Sequence, residues 1–354
     1  MTILLIIKHF DFGGAENHVC DLANMLIEKG HKVILIGRRG RQAGKLHPKI
    51  EYIEITLKDL LLPIHIIKLF FIIKNKKIDV IHAHQRLAIL LASICGFLSG
   101  KKVIATVHGR AKYDLRHNIS RRLLSKIIFV STFVYEVSNK KYGLKHKSVF
   151  IPNGVNTIKT EYKPNPYRIS YVSKINKSHI RFLKYMIDNV LPVLIKEYPD
   201  LEFNVVGDGK NISELRQIIQ ILNYSYKKDY CKLVGYEEIV EKEYLKSAVI
   251  MGVGRVALEA ASIGVPVLLA NSKRFGGLLS FENYQKVKST NFIDVKSPKP
   301  DKSLIINTLD AFFKNQEEFY SEAKKLSVMI HKEFSLDFIT DKIISIYTET
   351  AEKQ

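Results

Sequence analysis

The sequence predicts an α/β protein made of two Rossmann-like domains, each a doubly wound parallel sheet, that face a central cleft. Short apolar runs alternate with stretches of helical periodicity along most of the chain. Strands and helices that alternate in this way form parallel sheets. The alternation stops once, near residue 154, and then restarts, and 354 residues are too many for one ordinary core.

The first domain is predicted to span residues 1–153. It opens with a buried strand at 2–7 and a helix at 13–30, whose apolar residues share one face and which ends at Gly30. Further strands are predicted at 32–36, 78–82, 102–107, 127–131 and 148–152. This order of strands and helices completes one Rossmann-like domain.

A linker is predicted at 154–167, because this segment has no apolar periodicity and contains two prolines. The second domain then covers 168–334. Its predicted strands are 168–173, 201–207, 231–235, 248–252 and 266–270. We expect the final segment, 335–354, to form an amphipathic helix that packs back toward the N-terminal domain.

The positive charge is concentrated in the first domain. Residues 1–150 hold 26 Lys and Arg against 10 Asp and Glu (+16), and residues 151–354 hold 29 against 25 (+4). Such asymmetry indicates a polyanionic partner, either nucleic acid or an anionic membrane surface. No nucleic-acid motif or aromatic stacking platform accompanies the charge, so we expect a membrane partner and no nucleic acid.

Two segments of the first domain resemble interfacial membrane segments. Residues 60–77 are very apolar and end in a basic cluster. Residues 110–126 place Arg116, Arg121, Arg122 and Lys126 beside apolar and aromatic side chains such as Tyr113. The alternative for 60–73 is a core helix with a solvated basic end, since the segment is shorter than the ~18 to 20 residues that a membrane span needs.

The cysteines and the absence of a long apolar run indicate a cytoplasmic protein that is peripheral on the membrane. Three cysteines lie far apart and offer neither a disulfide framework nor a CxxC pair. No apolar run approaches the ~18 to 20 residues of a membrane span.

The most informative stretch is 251–266, MGVGRVALEAASIGVP. It predicts a glycine loop, Gly252-Val253-Gly254, followed by a buried helix. The glycines allow a ligand to approach the backbone, and the free N–H groups of the first helical turn suit a phosphate. Arg255 and Glu259 share one polar stripe, from which Glu259 could accept hydrogen bonds from ribose hydroxyls. The alternative is an Arg255–Glu259 pair on a solvent-exposed face.

Open parallel sheets bind ligands at the carboxyl ends of their strands. The polar and glycine residues predicted at these ends are Gly13, Gly14, His82, His84, His108 and Asn153 in the first domain, and Ser173, Lys174, Lys177, Gly209 and Gly235 in the second. The alternative for each histidine is a structural residue with satisfied hydrogen bonds.

Several enzyme classes are excluded by their missing motifs. The first βα turn is GGAE rather than GxGxxG, and Arg38-Arg39 follows the second strand where a nicotinamide cofactor needs an acid. No DxD, HExxH or Cys/His cluster supplies a metal site, and no GxSxG indicates a serine hydrolase.

A set of collinear motifs resembles the retaining glycosyltransferases of family 4, which have the GT-B fold, and in particular those of bacterial cell-envelope polysaccharide synthesis. These motifs are GGAE with LANMLIEKGHKV, IDVIHAH, ATVHG, FVS, IPNGV, VVGDG, and the glycine loop whose helix ends in GVPV. The match covers nearly the whole chain.

The resemblance implies a role for each matching residue. Gly13 and Gly14 would line the donor diphosphate and the acceptor side, and His108 would lie beside the donor sugar. Lys174 and Lys177 would neutralise the diphosphate leaving group. The donor nucleotide would be held by Gly252, Val253, Gly254, Arg255, Glu259 and Gly235, with Glu259 on the ribose and Gly235 near the base.

The chain departs from the family near residues 173–177 and at residue 251. Lys174 stands where the family usually has arginine, and the spacing to Lys177 is compressed. Met251 stands where the family has a second glutamate, and Ser173 replaces a glycine. The resemblance implies transfer of a sugar, with retention, from a nucleoside diphosphate sugar to a hydroxyl of a lipid-linked or envelope glycan. UDP is expected from family frequency, without a cofactor or metal. Met251 keeps open the alternative of a catalytically degenerate homologue that binds a nucleotide sugar.

Overall fold

The computed structural model describes residues 1–11, 13–109, 115–156, 162–209, 212–237 and 240–352, without the side chains of 115–117. Tyr113 and the Arg116 side chain of the predicted interfacial segment lie outside these residues. The chain divides into two compact units. The first contains Met1–Gly154 and Leu336–Gln354, and the second contains Val155–Ser335.

The first unit alternates strands and helices. Its strands are β1 (Thr2–Phe10), β2 (Lys32–Arg39), β3 (Glu51–Glu54), β4 (Val80–His84), β5 (Val103–Val107), β6 (Lys126–Phe129) and β7 (Ser148–Phe150). The helices between them are α1 (Gly14–Glu28), α2 (Leu62–Asn75), α3 (Arg86–Ser99), α4 (Leu115–Leu123) and α5 (Thr132–Tyr142), with 3₁₀ turns at Arg41–Lys45 and Asp59–Leu61.

These strands form a parallel sheet of order β3-β2-β1-β4-β5-β6-β7. Alternate residues of β1 enter opposite cores: Leu4 and Ile6 face the side covered by α2 and α3, and Leu5 and Ile7 face the side covered by α1. Burial on both faces explains why the central strands are continuous apolar runs. The strand order reverses between β1 and β4, which is where such sheets bind ligands.

The second unit has the same alternation. Its strands are β8 (Asn165–Val172), β9 (Glu202–Val206), β10 (Cys231–Gly235), β11 (Ser247–Gly252), β12 (Val267–Ala270) and β13 (Phe275–Leu278). Its helices are α6 (Lys177–Tyr185), α7 (Leu191–Glu197), α8 (Ile212–Tyr226), α9 (Glu241–Lys246), α10 (Arg255–Ile263), α11 (Phe281–Lys288), α12 (Lys302–Lys314) and α13 (Gln316–Phe334), with a π-helical segment at Met186–Val190 between α6 and α7.

The second sheet has the order β10-β9-β8-β11-β12-β13. All neighbouring strands are parallel except β12 and β13, which are antiparallel. Here the order reverses between β8 and β11. The carboxyl ends of these two strands are therefore the expected ligand position of this unit.

The last helix, α14 (Leu336–Glu352), belongs to the first unit. Its Ile339, Ile343 and Tyr347 join the same core as α1. Lys29, just after α1, forms ion pairs of 2.6 Å with both Asp337 and Asp341.

The predicted fold class, two Rossmann-like parallel-sheet domains, is confirmed, but two strands were not predicted. Strand β3 is only four residues long with a glutamate at each end, and β13 has two glycines in its centre. Neither sequence shows an apolar run. Strand β8 begins at Asn165, inside the segment predicted to be a linker.

Candidate functional site

The glycine loop of the second unit lies at the carboxyl end of β11. Strands β8 and β11 are paired in parallel, with Tyr171 beside Met251. Gly254 caps the N-terminus of α10 with φ 68° and ψ −132°, a conformation that strongly favours glycine. Gly254 itself has no side chain that could cap this end of α10, and the N–H groups of a first helical turn suit an anion.

Glu259 lies one turn into α10, and its carboxylate accepts hydrogen bonds from Arg255 and Tyr244. Arg255 Nε donates to Glu259 Oε1 at 2.5 Å, and the Tyr244 hydroxyl donates to Oε2 at 3.0 Å. The side chains of Arg255 and Glu259 are only 12% and 15% exposed, so the pair exists but does not lie on a solvent-exposed face. Tyr244 is fully buried, and burial followed by the charge of Glu259 holds the pKa of its hydroxyl well above the usual value. It therefore remains a neutral donor.

Lys174 and Lys177 follow strand β8 and are both exposed. Between them, Asn176 caps α6, because its Oδ1 accepts from the N–H groups of Ser178 at 2.9 Å and His179 at 3.3 Å. The Ser173 hydroxyl is hydrogen-bonded to Nδ1 of His179, with 2.9 Å between Oγ and Nδ1. A Cβ on Gly252 would lie 3.6 Å from the Val172 carbonyl, so the glycine loop and the residues after β8 are neighbours at one edge of the sheet.

Gly207 and Gly209 permit a close backbone approach at this edge. A Cβ on Gly207 would lie 1.8 Å from the Ser173 oxygen, and one on Gly209 would lie 1.8 Å from the Ile175 oxygen. Both glycines are therefore required by packing against the segment after β8. Gly235 ends β10 with φ 84°, and a Cβ there would meet open space.

Met251 is part of the buried core of the second unit. It is fully buried and belongs to the cluster formed by the helices α6, α7, α8 and α12 with the sheet. A glutamate in the same rotamer would be buried in apolar surroundings. Met251 thus packs the sheet and presents no polar group to a ligand.

In the first unit, Gly13 and Gly14 form the N-terminus of α1, which likewise has no side-chain cap. A Cβ on Gly14 would meet open space. Gln85 fixes the neighbouring strand ends although its φ is 67°, unusual for glutamine. Its Oε1 accepts from the N–H groups of Lys8 and His9 at 3.1 and 3.2 Å, and its Nε2 donates to Glu16 at 2.9 Å.

Three imidazoles meet at the switch point of the first sheet. They are His18 of α1, His84 at the end of β4 and His108 just after β5. The His84 Nδ1 and His108 Nε2 atoms are 3.3 Å apart, and the His18 ring centre lies 5.1 Å from that of His108. Burial, and then the neighbouring histidines, hold the pKa of His84 well below its usual value, so this ring is neutral at pH 7.

His82 and Asn153 are poor candidates for ligand contact, in contrast to the sequence prediction. The ring nitrogens of His82 bond to the Tyr347 hydroxyl at 2.6 Å and the Thr106 hydroxyl at 2.7 Å. His82 is fully buried, and burial lowers its pKa to about 3. Asn153 is also buried. These hydrogen bonds of His82 agree with the structural alternative.

A metal ion could be held by the three-histidine group. One ring nitrogen from each of His18, His84 and His108 lies within 4.8 Å of the others. Within the described ranges, this is the group of His, Cys, Asp and Glu residues with such geometry. No sequence pattern marks it, because the three residues are far apart along the chain. The expectation that no metal is required stays a prediction.

Sequence reasoning did not single out His18, Tyr244 or Gln85. His18 precedes Leu22 by four residues and therefore interrupts the apolar face of α1, a pattern that indicates a buried polar residue. No comparable signal marks Tyr244, since its contact with Glu259 depends on the packing of α9 against α10.

The fold matches that of solved glycosyltransferase-type structures. Anabaena Alr3699/HepE in complex with UDP-glucose superimposes with a TM-score of 0.77 at 16% sequence identity, over 99% of this chain and 100% of that one. This likeness shows that the chain has the GT-B fold.

A family model matches part of the first unit. Residues 12–159 match the model of Glycosyltransferase Family 4. The chain is 26% identical over 303 residues to a subunit of the Homo sapiens phosphatidylinositol N-acetylglucosaminyltransferase, and this alignment covers 76% of this chain and 60% of that protein.

A bacterial relative is an Escherichia coli UDP-Gal:alpha-D-GlcNAc-diphosphoundecaprenol alpha-1,3-galactosyltransferase. It is 25% identical over 249 residues, which cover 58% of this chain and 61% of the relative. The chain thus spans less than two-thirds of the length of either relative.

Proposed function

We propose that this glycosyltransferase transfers a sugar from a nucleoside diphosphate sugar, with UDP as the first choice of nucleotide, to a hydroxyl of a lipid-linked acceptor such as an envelope glycan precursor. One observation carries the donor assignment. Glu259 is oriented by Arg255 and Tyr244 one turn behind the helix N-terminus that Gly254 begins and the Gly252–Gly254 loop. Phosphate and ribose both have suitable partners there.

Each donor group has a separate role in the proposal. The N–H groups at the start of α10 bind the diphosphate, while Lys174 and Lys177, both exposed beside that loop, neutralise the charge that develops on it as the sugar leaves. A carboxylate can accept about four hydrogen bonds, so Glu259 can take ribose hydroxyls as well as the donors Arg255 and Tyr244. Gly235 leaves open space at the end of β10, where a base could lie.

The first unit is proposed to handle the sugar and the acceptor. His108 is half-buried beside His84, and it lies at the same sheet edge as Gly13 and Gly14. We propose that its ring hydrogen-bonds the donor sugar. Retention is proposed to proceed by front-face attack, in which the departing phosphate takes the acceptor proton. Catalysis then comes from positioning and charge stabilisation, without a metal.

The exposed face of α2 supports a membrane-bound acceptor. Leu60, Ile64, Ile67 and Phe71 are 91%, 60%, 58% and 58% exposed, and their spacing places them on one stripe. The opposite side of the same helix, with Leu69 and Ile73, is buried in the core. The buried side agrees with the core-helix alternative for 60–73, and the exposed stripe supports the interfacial proposal.

Basic side chains accompany this stripe. Lys68, Lys74 and Lys77 are exposed on or just after α2. An apolar stripe with lysines beside it suits an anionic bilayer surface, where each basic side chain contributes roughly 1 kcal/mol. No helix within the described ranges is long and apolar enough to cross a bilayer.

The names of the relatives point to the same acceptor class. One is named for phosphatidylinositol and the other for a diphosphoundecaprenol-linked sugar, so both names contain a lipid that carries phosphate. A lipid-linked acceptor is therefore proposed here as well, while the sugar and the linkage are left to experiment.

A second candidate function rests on Met251. Because this buried residue replaces a family glutamate, a degenerate homologue that binds a nucleotide sugar without transferring it is the competing proposal. The two differ in turnover, since an active enzyme hydrolyses or transfers a nucleotide sugar slowly even without its natural acceptor.

The donor site is tested by calorimetric titration of UDP, GDP and ADP. We expect one nucleoside diphosphate to bind the wild-type protein. The Glu259→Ala variant should bind it at least about tenfold more weakly, because it lacks the carboxylate that would accept hydrogen bonds from the ribose hydroxyls. The matched control is Glu214→Ala, an exposed glutamate in the first turn of α8. Equal binding by Glu259→Ala would refute the site.

Turnover is tested with a panel of UDP- and GDP-sugars and extracted lipid acceptors. We expect sugar release or transfer with one donor and a strongly reduced rate for His108→Ala. Tight nucleotide binding without turnover across the whole panel would favour the degenerate homologue.

A further inference from the structure

A cavity of about 590 Å³ lies in the first unit beside the ends of β4 and β5. Its volume falls in the range of small-molecule sites. Gln85, Arg86, Val107 and His108 line the end near the switch point of the sheet. The cavity therefore reaches the three-histidine group but extends beyond it.

The wall of this cavity is mostly hydrocarbon. Its aliphatic and aromatic residues include Leu87, Leu90, Leu124, Ile127, Phe129 and Leu144. These are core side chains of the α2 and α3 side of the sheet, and a polar sugar would gain few hydrogen bonds among them. An apolar chain is the ligand part that such a wall accommodates.

The charged residues of the cavity are mainly cationic. Among the described lining residues, Lys8, Arg86 and Arg121 stand against a single acid, Asp59. Arg86 is exposed at the first position of α3. A ligand that is apolar at one end and anionic at the other matches this arrangement.

The cavity also adjoins the exposed apolar stripe of α2. Asp59 belongs to the cavity lining, and the next residue, Leu60, is the most exposed member of the stripe. The stripe therefore begins directly after a residue that lines the cavity. At its other end the cavity reaches His108, where the acceptor hydroxyl is proposed to react.

We propose that this cavity binds the hydrocarbon chain next to the phosphate of a lipid phosphate acceptor, and that Arg86 and Lys8 bind that phosphate. The proposal rests on the proposed function in one respect, namely that the acceptor is a lipid. It adds the subsite and the recognition chemistry. An isoprenoid diphosphate and an acyl phospholipid share this chemistry, and the experiment separates them.

The test is calorimetric titration of the full chain with four probes: farnesyl diphosphate, lysophosphatidic acid, inorganic pyrophosphate and dodecanol. The three probes with a hydrocarbon chain are used at concentrations at which they do not aggregate. We expect one of the first two to bind, and that probe identifies the lipid class. Pyrophosphate lacks the chain and dodecanol lacks the anion, so both should bind at least about tenfold more weakly.

Two variants locate the binding. Leu90→Trp fills the cavity and should abolish binding, and Arg86→Gln should weaken it about tenfold through loss of one charge-assisted contact. Their matched controls are Leu98→Trp, an exposed position of the same helix, and Lys49→Gln, an exposed basic residue that does not line the cavity. Because Arg86 is exposed, Arg86→Gln leaves the core intact and remains informative if Leu90→Trp fails to fold.

Binding of UDP is measured on the same samples. Absence of lipid-phosphate binding with intact UDP binding would overturn this proposal alone, as would equal binding of the lipid probe by Arg86→Gln and wild type. Equal binding by pyrophosphate would overturn it if measured with the nucleotide site saturated by UDP. Probe binding with no nucleotide binding would instead refute the donor assignment and leave the cavity proposal standing.

Discussion

The Tyr244 hydroxyl donates a 3.0 Å hydrogen bond to Glu259, from a ring that is fully buried beneath α10. With Arg255 on the other carboxylate oxygen, the orientation of Glu259 is fixed before any ligand arrives. Such preorganisation means that binding does not have to order this side chain.

Tyr244→Phe is expected to release one side of Glu259. Removal of a hydrogen bond to a charged group should lower the free energy of unfolding by about 1.5–3 kcal/mol and should also weaken nucleotide binding. Urea denaturation and calorimetry measure the two effects. Tyr224→Phe, at an exposed tyrosine of α8, is the control and should change neither. Unaltered nucleotide binding in Tyr244→Phe would show that the bond does not serve the site.

Met251→Glu is expected to destabilise the second unit. The new carboxylate would be buried among apolar residues, and the free energy of unfolding should fall by about 2 kcal/mol or more. Met251→Leu keeps the volume and should cost less than about 1.5 kcal/mol. Denaturant unfolding of both variants is the measurement. A Met251→Glu protein as stable as wild type, with higher turnover, would mean that this side chain can turn toward the donor.

Much of the fold was predictable from the sequence because its signals are local. The central strands are apolar runs, and the loop before α10 is recognisable because it contains two glycines. Strand β3 could not be predicted, because an edge strand of four residues, EYIE, needs little apolar content. Strand β13 is stabilised by pairing with β12 rather than by its own sequence, FGGL.

The site was predictable only where its residues lie at strand ends. His108 was predicted from that rule and Glu259 from the polar stripe of α10, and both stay predictions; His82 also satisfies the rule, but its ring nitrogens contact two buried hydroxyl groups. Its two hydroxyl partners, Thr106 and Tyr347, come from distant parts of the chain. The three-histidine group and the Tyr244–Glu259 bond likewise depend on tertiary packing, which no sequence period reveals.

His82 should make stability depend on pH. Its pKa is about 3 in the folded chain, against roughly 6.5 when unfolded. Between these values the unfolded chain binds more protons, so this contribution is fully present above about pH 6.5 and is lost as the pH falls. The slope is about 1.4 kcal/mol per pH unit for this residue. His84 acts in the same direction.

Urea denaturation at pH 7, 6 and 5 tests this. We compare wild type with His82→Gln. The Asp and Glu residues of the protein titrate alike in both proteins, so a difference between the two pH series reports on His82. The variant should be less stable at pH 7 but should lose stability more slowly toward pH 5. Parallel curves would contradict the assigned pKa direction.

The α2 stripe should govern membrane binding. Phe71→Ser and Ile64→Ser are expected to reduce co-sedimentation with anionic liposomes, and high salt should reduce it further because the lysine contribution is screened. Val328→Ser, at an exposed apolar residue of the second unit, is the control and should bind as wild type does. Equal binding to neutral vesicles, or preference for DNA over anionic vesicles, would argue against the membrane assignment.

The transferase should need no divalent metal. We expect full activity after dialysis against EDTA, since the proposed catalytic groups are backbone N–H, lysine and histidine. The geometry of His18, His84 and His108 offers the competing outcome, a bound metal ion. This outcome would be supported by one equivalent of metal that copurifies with the wild-type protein and is absent from the His18→Ala variant. Elemental analysis of both proteins decides between them.

The return of α14 to the first unit affects the order in which the protein can mature during translation. The hydrogen bond between His82 and Tyr347 joins residues 265 positions apart. During translation the N-terminal sheet is made first, and the entire second unit is synthesised before α14 appears. Only then can Ile339, Ile343 and Tyr347 of α14 cover one face of that sheet. The nascent first unit therefore exposes an apolar surface for an extended time, and we infer that its final folding step follows, rather than precedes, that of the second unit.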